Sequence, residues 1–256
     1  MEQPLAADNY CPVALVRVVF QETGRDDVVP GNIAGELMDF VVPRFCLHCE
    51  EHLAVNQYFL CNNCLLSETR LDTLQLIDCL YERFGFELVT WMFSVVKFEE
   101  WSAFRTMVHF LKYKGLFKAG EYLGKILGNE LVARMDTSEI DYIIPVPLHR
   151  LKLIERGYNQ SLLIAKGVSL VTGIPINQKA IKRTRYTAAQ VETETKHERH
   201  SNIKGAFKVI DSGKIEGKNI LIVDDVITTG STIREVATEL KNSDANELYA
   251  ASILVA

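Results

Sequence analysis

The chain has 256 residues, 48% of them hydrophobic and 24% charged, a balance that fits a globular domain with room for a smaller attached module. No apolar run approaches the roughly 18 residues that a bilayer crossing requires, and Met1-Glu2-Gln3-Pro4 lacks the basic region and apolar stretch of a secretory signal, so a cytoplasmic protein is expected. The net charge of -5 conceals an asymmetry: residues 1–104 carry 6 Lys+Arg against 16 Asp+Glu, and residues 105–256 carry 22 against 17.

Residues 1–32 read as an extension whose one sustained apolar run spans 13–20. A short amphipathic helix is expected at 33–43, ending before Pro43 and opening a module that reaches residue 66. Within that module Cys46-x-x-Cys49 and Cys61-x-x-Cys64 are separated by eleven residues. Two residues between cysteines let both thiolates of a knuckle reach one ion, and two knuckles complete a tetrahedron around zinc. Disulfides are disfavoured in a cytoplasmic chain, which strengthens the metal reading. Four thiolates leave no open position for water, so such a zinc is structural. Cys11 and Cys79 stand alone and read as apolar filler, while His48 and His52 lie close enough to substitute as ligands.

A connector and hood-like region is expected over 67–119. Leu71, Leu74, Leu76, Ile77, Leu80 and Phe84 recur at helical spacing within 67–84. Residues 86–98 are strand-like, and 101–111 return to helical spacing through Phe104, Met107, Val108 and Leu111. Lys112 and Lys114 interrupt that apolar pattern.

From residue 120 a regular alternation sets in. Helix 120–133 precedes strand 141–146, and helix 160–171 ends at Gly173. Strand 179–184, the polar loop 185–202, strands 205–210 and 219–223, helix 231–242 and strand 247–255 complete the series. Strands alternating with helices predict an α/β domain over 120–256 with a mostly parallel, doubly wound sheet. Loop 185–202 is long for a compact domain, and loops of that length are usually functional or disordered.

Chemistry concentrates where strand 219–223 meets Asp224 and Asp225, followed by Thr228-Thr229-Gly230-Ser231-Thr232 and a helix. Ligands of open parallel sheets sit beyond the carboxyl ends of the strands. Helix amides, hydroxyls and a close-turning Gly230 would cradle a phosphate there, with Ser231 or Thr232 capping the helix. By itself Thr-Gly-Ser-Thr reads as a plain cap. The adjacent acids alter that reading, because paired carboxylates call for a metal or a diol nearby. A basic surplus in 178–208, where Lys179, Lys182, Arg183, Arg185, Lys196, Arg199, Lys204 and Lys208 face three Glu, favours a polyanionic ligand.

Asp-Asp-Val-Ile-Thr-Thr-Gly-Ser-Thr resembles the binding signature of type I phosphoribosyltransferases, which bind 5-phosphoribosyl 1-pyrophosphate (PRPP). The resemblance implies that Asp224 and Asp225 hold the ribose hydroxyls, that Thr228, Thr229, Gly230, Ser231 and Thr232 hold the 5-phosphate, and that magnesium bridges ribose and pyrophosphate. It places the pyrophosphate loop after strand 141–146, at His149, Arg150, Lys152 and Arg156. Loop 185–202 then corresponds to the family's hood, with Arg183 and Arg199 joining Asp224 and Asp225 as catalytic residues.

Pro145-Val146-Pro147-Leu148-His149, Arg156-Gly157-Tyr158-Asn159-Gln160, Arg183-Thr184 with Gln190, Arg199 with Asn202, and Gly205-Ala206-Phe207 are similar to the ComF (competence protein F) family. So is the two-knuckle module upstream of Lys112-Tyr113-Lys114-Gly115. The resemblance covers about 35–256. One departure is the acidic stretch Val191-Glu192-Thr193-Glu194-Thr195, where the family shows Gly-Leu-Ser or similar. The resemblance implies a PRPP-binding protein of DNA uptake that handles single-stranded DNA, with Lys112, Lys114 and Arg185 as nucleic-acid contacts and DNA-uptake machinery as partner. Phe98, Trp101, Phe110, Tyr113 and Tyr186 are aromatics near those basic positions, available for base stacking. The alternative is an active phosphoribosyltransferase acting on a base or ammonia in nucleotide metabolism, and a third reading is a sensor of PRPP or nucleotides. Oligomeric state stays open; the resemblance suggests a homodimer, and the sequence defines no interface.

Overall fold

The structure is a computed structural model that describes residues 44–68, 88–185 and 205–256. The expected extension 1–32, the helix at 33–43, most of connector 67–84 and nearly all of loop 185–202, including Arg199, lie outside the described residues.

The described elements run α1 (Asn62–Leu66), β1 (Trp91–Lys97), α2 (Ala103–Tyr113), α3 (Phe117–Arg134), β2 (Tyr142–Pro145), α4 (Arg150–Arg156) and α5 (Gln160–Thr172). They continue through β3 (Ile181–Arg183), β4 (Phe207–Val209), β5 (Ile220–Ile227), α6 (Ser231–Lys241) and β6 (Leu248–Val255). β1, β6, β5 and β2 lie side by side in that order, and every pairing is parallel. Parallel strands are covered on both faces, which is why β5 and β6 read as near-continuous aliphatic runs. β3 and β4 form a separate antiparallel ribbon.

Helices α3 and α5 pack along each other and onto the sheet, α3 against β1 and β6 and α5 against β2 and β5. Their separation is set by small residues. Gly120, Gly124 and Gly128 recur every four residues along one side of α3, facing Leu163, Ile164, Gly167, Val168 and Val171 of α5. A Cβ on Gly124 would stand 2.0 Å from the Ile164 carbonyl oxygen, and one on Gly167 would stand 2.2 Å from that of Glu121. The two backbones therefore touch, and α5 is held tightly over β5.

The cysteine module docks on the start of α2. Ser102 caps that helix by accepting from Arg105 N–H, and its own hydroxyl donates to Glu68 Oε2 at 2.8 Å. The Ala103 amide also donates to Glu68, so one carboxylate closes the helix end. His48 Nδ1 lies 3.1 Å from the Thr106 hydroxyl, and Phe59 meets Tyr122 edge-on at 5.3 Å. The far end of α2 is held as firmly: Tyr158 donates its hydroxyl proton to the Leu111 carbonyl.

From residue 120 onward the expected elements agree with the structure to within a few residues at each end. The main difference is β5. It was expected to stop at residue 223, yet it continues through both aspartates to Ile227. β2 ends at Pro145 opposite Val223, whereas β6 goes on, pairing Ser252 with Asp224 and Val255 with Ile227. The acids thus belong to a strand with one remaining neighbour.

Candidate functional site

Beyond Pro145 the sheet opens on one side of β5, and the chain builds a site into that opening. Asp224 lines a cavity of about 30 Å³ together with Val226, Ile227 and residues 228–233. Gly230 adopts a left-handed conformation (φ 69°) and is itself the cap of α6, with no side-chain bond closing the helix. The expectation that Ser231 or Thr232 would cap α6 is therefore corrected. The hydroxyls of Thr229 and Ser231 bond each other at 2.9 Å. The opening amides of α6 have no intrahelical acceptor, and they line the cavity beside four hydroxylated residues and Gly230. A site with that donor set and a helix N-terminus favours an anion such as phosphate.

The two aspartates part company. Asp224 is half-buried and accepts from the Ser161 hydroxyl at 2.8 Å and from the Asp225 amide at 2.9 Å. Burial, with the Asp225 charge adding to it, pushes its carboxyl up to about 8. Asp225 is buried and meets the Lys112 ammonium at 2.5 Å, an ion pair largely shielded from solvent. The two carboxyls nevertheless remain close enough to interact, although Ser161 holds one and Lys112 the other.

Ser161 owes its position to a stitched loop. Asn159 caps α5 by accepting from Ser161 N–H at 3.1 Å, and its amide donates to the Val146 carbonyl at 2.9 Å. This ties the start of α5 to the end of β2. Gln160, next to it, is almost fully buried, and its Nε2 has no hydrogen-bond partner among the described residues.

A cationic group extends from this point. Lys152 on α4 is half-buried; its ammonium lies below its ordinary value through burial, then through repulsion by Arg156, Arg183 and Lys112. Burial also lowers the Arg183 guanidinium, with Asp224 pulling the other way, and its Cζ lies 5.3 Å from the Phe207 ring centre. Arg156 covers the Tyr113 ring at 5.4 Å. These side chains come from three elements, and Lys152 feels the charge of Arg156, Arg183 and Lys112. His149 caps α4, accepting from Leu151 N–H at 3.3 Å, and Arg150 is exposed.

Of the residues expected to touch nucleic acid, Lys114 and Arg185 are exposed, whereas Lys112 turns inward to Asp225. Trp101 and Tyr113 are largely exposed, and Phe110 is half-buried. Ser161 and the inward role of Lys112 escaped the sequence reading. The hydroxyl directly after Asn159-Gln160 was a usable signal for the first.

The second cluster is the cysteine set. The sulfurs of Cys46, Cys49, Cys61 and Cys64 all lie within 4.8 Å of one another, and Cys49 and Cys61 are 3.6 Å apart. Tetrahedral thiolates around a zinc ion stand roughly 3.8 Å apart, as bonds of about 2.3 Å require. The Cys61 amide points to Cys46 Sγ at 3.4 Å and the Cys64 amide to Cys61 Sγ at 3.5 Å, donors that favour thiolate. Burial pushes the Cys46 thiol up, but the amides of Cys49, Cys61 and His48 outweigh it and bring it to about 7. The residues fit a metal ion. His48 and His52 stand outside the group, His48 near Thr106 and His52 packed on Phe45 at 4.5 Å.

The class of domain follows from known proteins. Residues 159–254, which hold Ser161, β5, the hydroxyl turn and β6, match the family model described as "Phosphoribosyl transferase domain". The chain thus carries a phosphoribosyltransferase-type domain with a four-cysteine module before it. Beyond that domain, it is homologous to competence protein F of Haemophilus influenzae, at 27% identity over 80% of this chain and 81% of that protein. It is likewise homologous to the DNA utilization protein YhgH of Escherichia coli K12, at 28% identity over 80% of this chain and 93% of that one. These relatives bear out the resemblance to the ComF family. Among solved structures, the glutamine PRPP amidotransferase of B. subtilis with ADP and GMP aligns at 25% identity with a TM-score of 0.37. That alignment covers 53% of this chain and 26% of the other, so the chain spans about a quarter of that protein. Among the described residues no helix is long and apolar enough to cross a membrane.

Proposed function

We propose that this protein binds PRPP at the end of β5 and acts in DNA uptake, as the names of its relatives indicate for them. The observation that carries the binding half is a single arrangement. Asp224 and the amide- and hydroxyl-rich turn 228–232 share one cavity, and Arg183 senses the Asp224 charge. In this reading the turn takes the 5-phosphate, Asp224 and Asp225 accept from the ribose hydroxyls, and Lys152, Arg156 and Arg183 neutralise the pyrophosphate. Magnesium would accompany the pyrophosphate, since that ion is usually held by a few carboxylates and substrate phosphates. Zinc would occupy the four-cysteine set and hold the module together, as structural zinc contributes directly to folding. Lys114 and Arg185 are exposed cations suited to the backbone of single-stranded DNA.

Calorimetric titration with PRPP and magnesium tests the site. The wild-type chain binds, and the double variant Asp224→Asn, Asp225→Asn does not while remaining folded at the temperature of the titration; equal affinity in both rejects the reading. Adding acceptor bases and measuring pyrophosphate release separates binding from turnover. Titrating labelled single strands at two salt concentrations tests the DNA half, because phosphate contacts weaken as salt rises.

A further inference from the structure

The Lys112–Asp225 pair has an unusual setting. Asp225 Oδ2 is buried, and among the described residues the Lys112 ammonium at 2.5 Å is what compensates its charge. The pair keeps only 22% and 12% of its side-chain surface exposed. Breaking a shielded pair by removing one partner leaves a buried charge that must find another cation or a proton. Lys112 also adds to the like charge that Lys152 feels from Arg156 and Arg183. Its neighbours are fixed to the same neighbourhood: the Leu111 carbonyl accepts from Tyr158, and the Tyr113 ring lies under Arg156. Lys112 therefore holds Asp225 directly, and Lys152 feels its charge.

We infer that Lys112 is an exchange residue: it neutralises Asp225 in the free protein, and yields that carboxylate to a divalent cation or a diol while its ammonium passes to a diphosphate. The inference rests on the proposed ligand site and adds a role for a residue outside the matched domain. Lys112 supplies the positive charge that the buried Asp225 carboxylate requires. It also makes diphosphate and divalent cation cooperative, because each removes what opposes the other. A ligand with a diol but no diphosphate would have to displace Lys112 without giving its charge a new partner. The site thereby selects sugars that carry both groups.

The test uses the full-length chain, with magnesium alone and pyrophosphate alone as probes. Lys112→Met is expected to bind magnesium about tenfold more tightly and pyrophosphate about tenfold more weakly than wild type. Lys112→Arg, which keeps the charge, is expected to hold pyrophosphate within a few-fold of wild type. Magnesium affinity unchanged in Lys112→Met, or pyrophosphate affinity unchanged, overturns the inference. In case the variant does not fold, the unaltered chain supplies a second readout. Acetylation of Lys112, followed by mass spectrometry, should rise when magnesium is added and fall when pyrophosphate follows. Constant labelling overturns the exchange. If both probes behave as expected yet PRPP does not bind, the function reading fails and the exchange stands. If PRPP binds while both probes ignore Lys112, the exchange alone fails.

Discussion

The Ser161 hydroxyl donates to Asp224 Oδ1 at 2.8 Å, joining the first turn of α5 to the end of β5 across 63 residues of chain. That bond favours the ionised carboxylate against the burial that opposes it. Ser161→Ala should weaken PRPP binding about tenfold, equivalent to about 1.4 kcal/mol, while lowering stability by only about 1 kcal/mol. Calorimetry and a melting curve on the same sample check it. An affinity equal to wild type would remove Ser161 from the site.

Asp224 also predicts a pH dependence. Its carboxyl rises from 3.8 to about 8 on folding, so between those values the folded chain keeps a proton that the unfolded chain has released. Stability must then fall as pH rises through this window and level off above it. Asp224→Asn removes the titration. The variant's melting temperature should change less between pH 5 and pH 8 than that of wild type. Parallel curves for the two proteins contradict the assignment.

The close contact of α3 and α5 is open to a direct trial. A Cβ on Gly167 would stand 2.2 Å from the Glu121 carbonyl oxygen, with the Gly124 Cα at 2.7 Å. Gly167→Ala must push the helices apart, at a cost of about 1–3 kcal/mol for overpacking. Because α5 carries Ser161, PRPP affinity should fall with it. Gly213→Ala is the control, since only the Asp211 side chain approaches, at 3.7 Å.

Cys61→Ser should release the metal and lower stability by several kcal/mol, since the ion's binding energy is also folding energy. Elemental analysis and thermal unfolding, with and without chelator, give the answer. A chain with no bound zinc and an unaltered melting temperature would remove the metal from the module.

Much of the fold and part of the site were legible in the sequence. Residues 220–223 and 250–255 are aliphatic enough to mark buried strands, and Gly157 and Gly173 take the left-handed helix ends their positions suggest. The cysteine spacing foretold the clustered sulfurs. What could not be read depends on distant partners. β5 outruns its apolar core because β6 is long enough to pair with Asp224 and Ile227. Lys112 looked like surface charge until helix α2 brought it to Asp225. No local pattern encodes either meeting.

Helix α2 touches both halves of the protein: Glu68 grips its first residues, and its last turn delivers Lys112 to Asp225. Eleven helical residues span roughly 16 Å at about 1.5 Å each, so this rod is short and stiff. One short helix therefore joins Glu68, which follows the cysteine set in the chain, to the buried Asp225 carboxylate. Thermodynamic reciprocity requires that if stripping the ion alters sugar-phosphate affinity, occupancy by the sugar phosphate alters ion retention by the same factor.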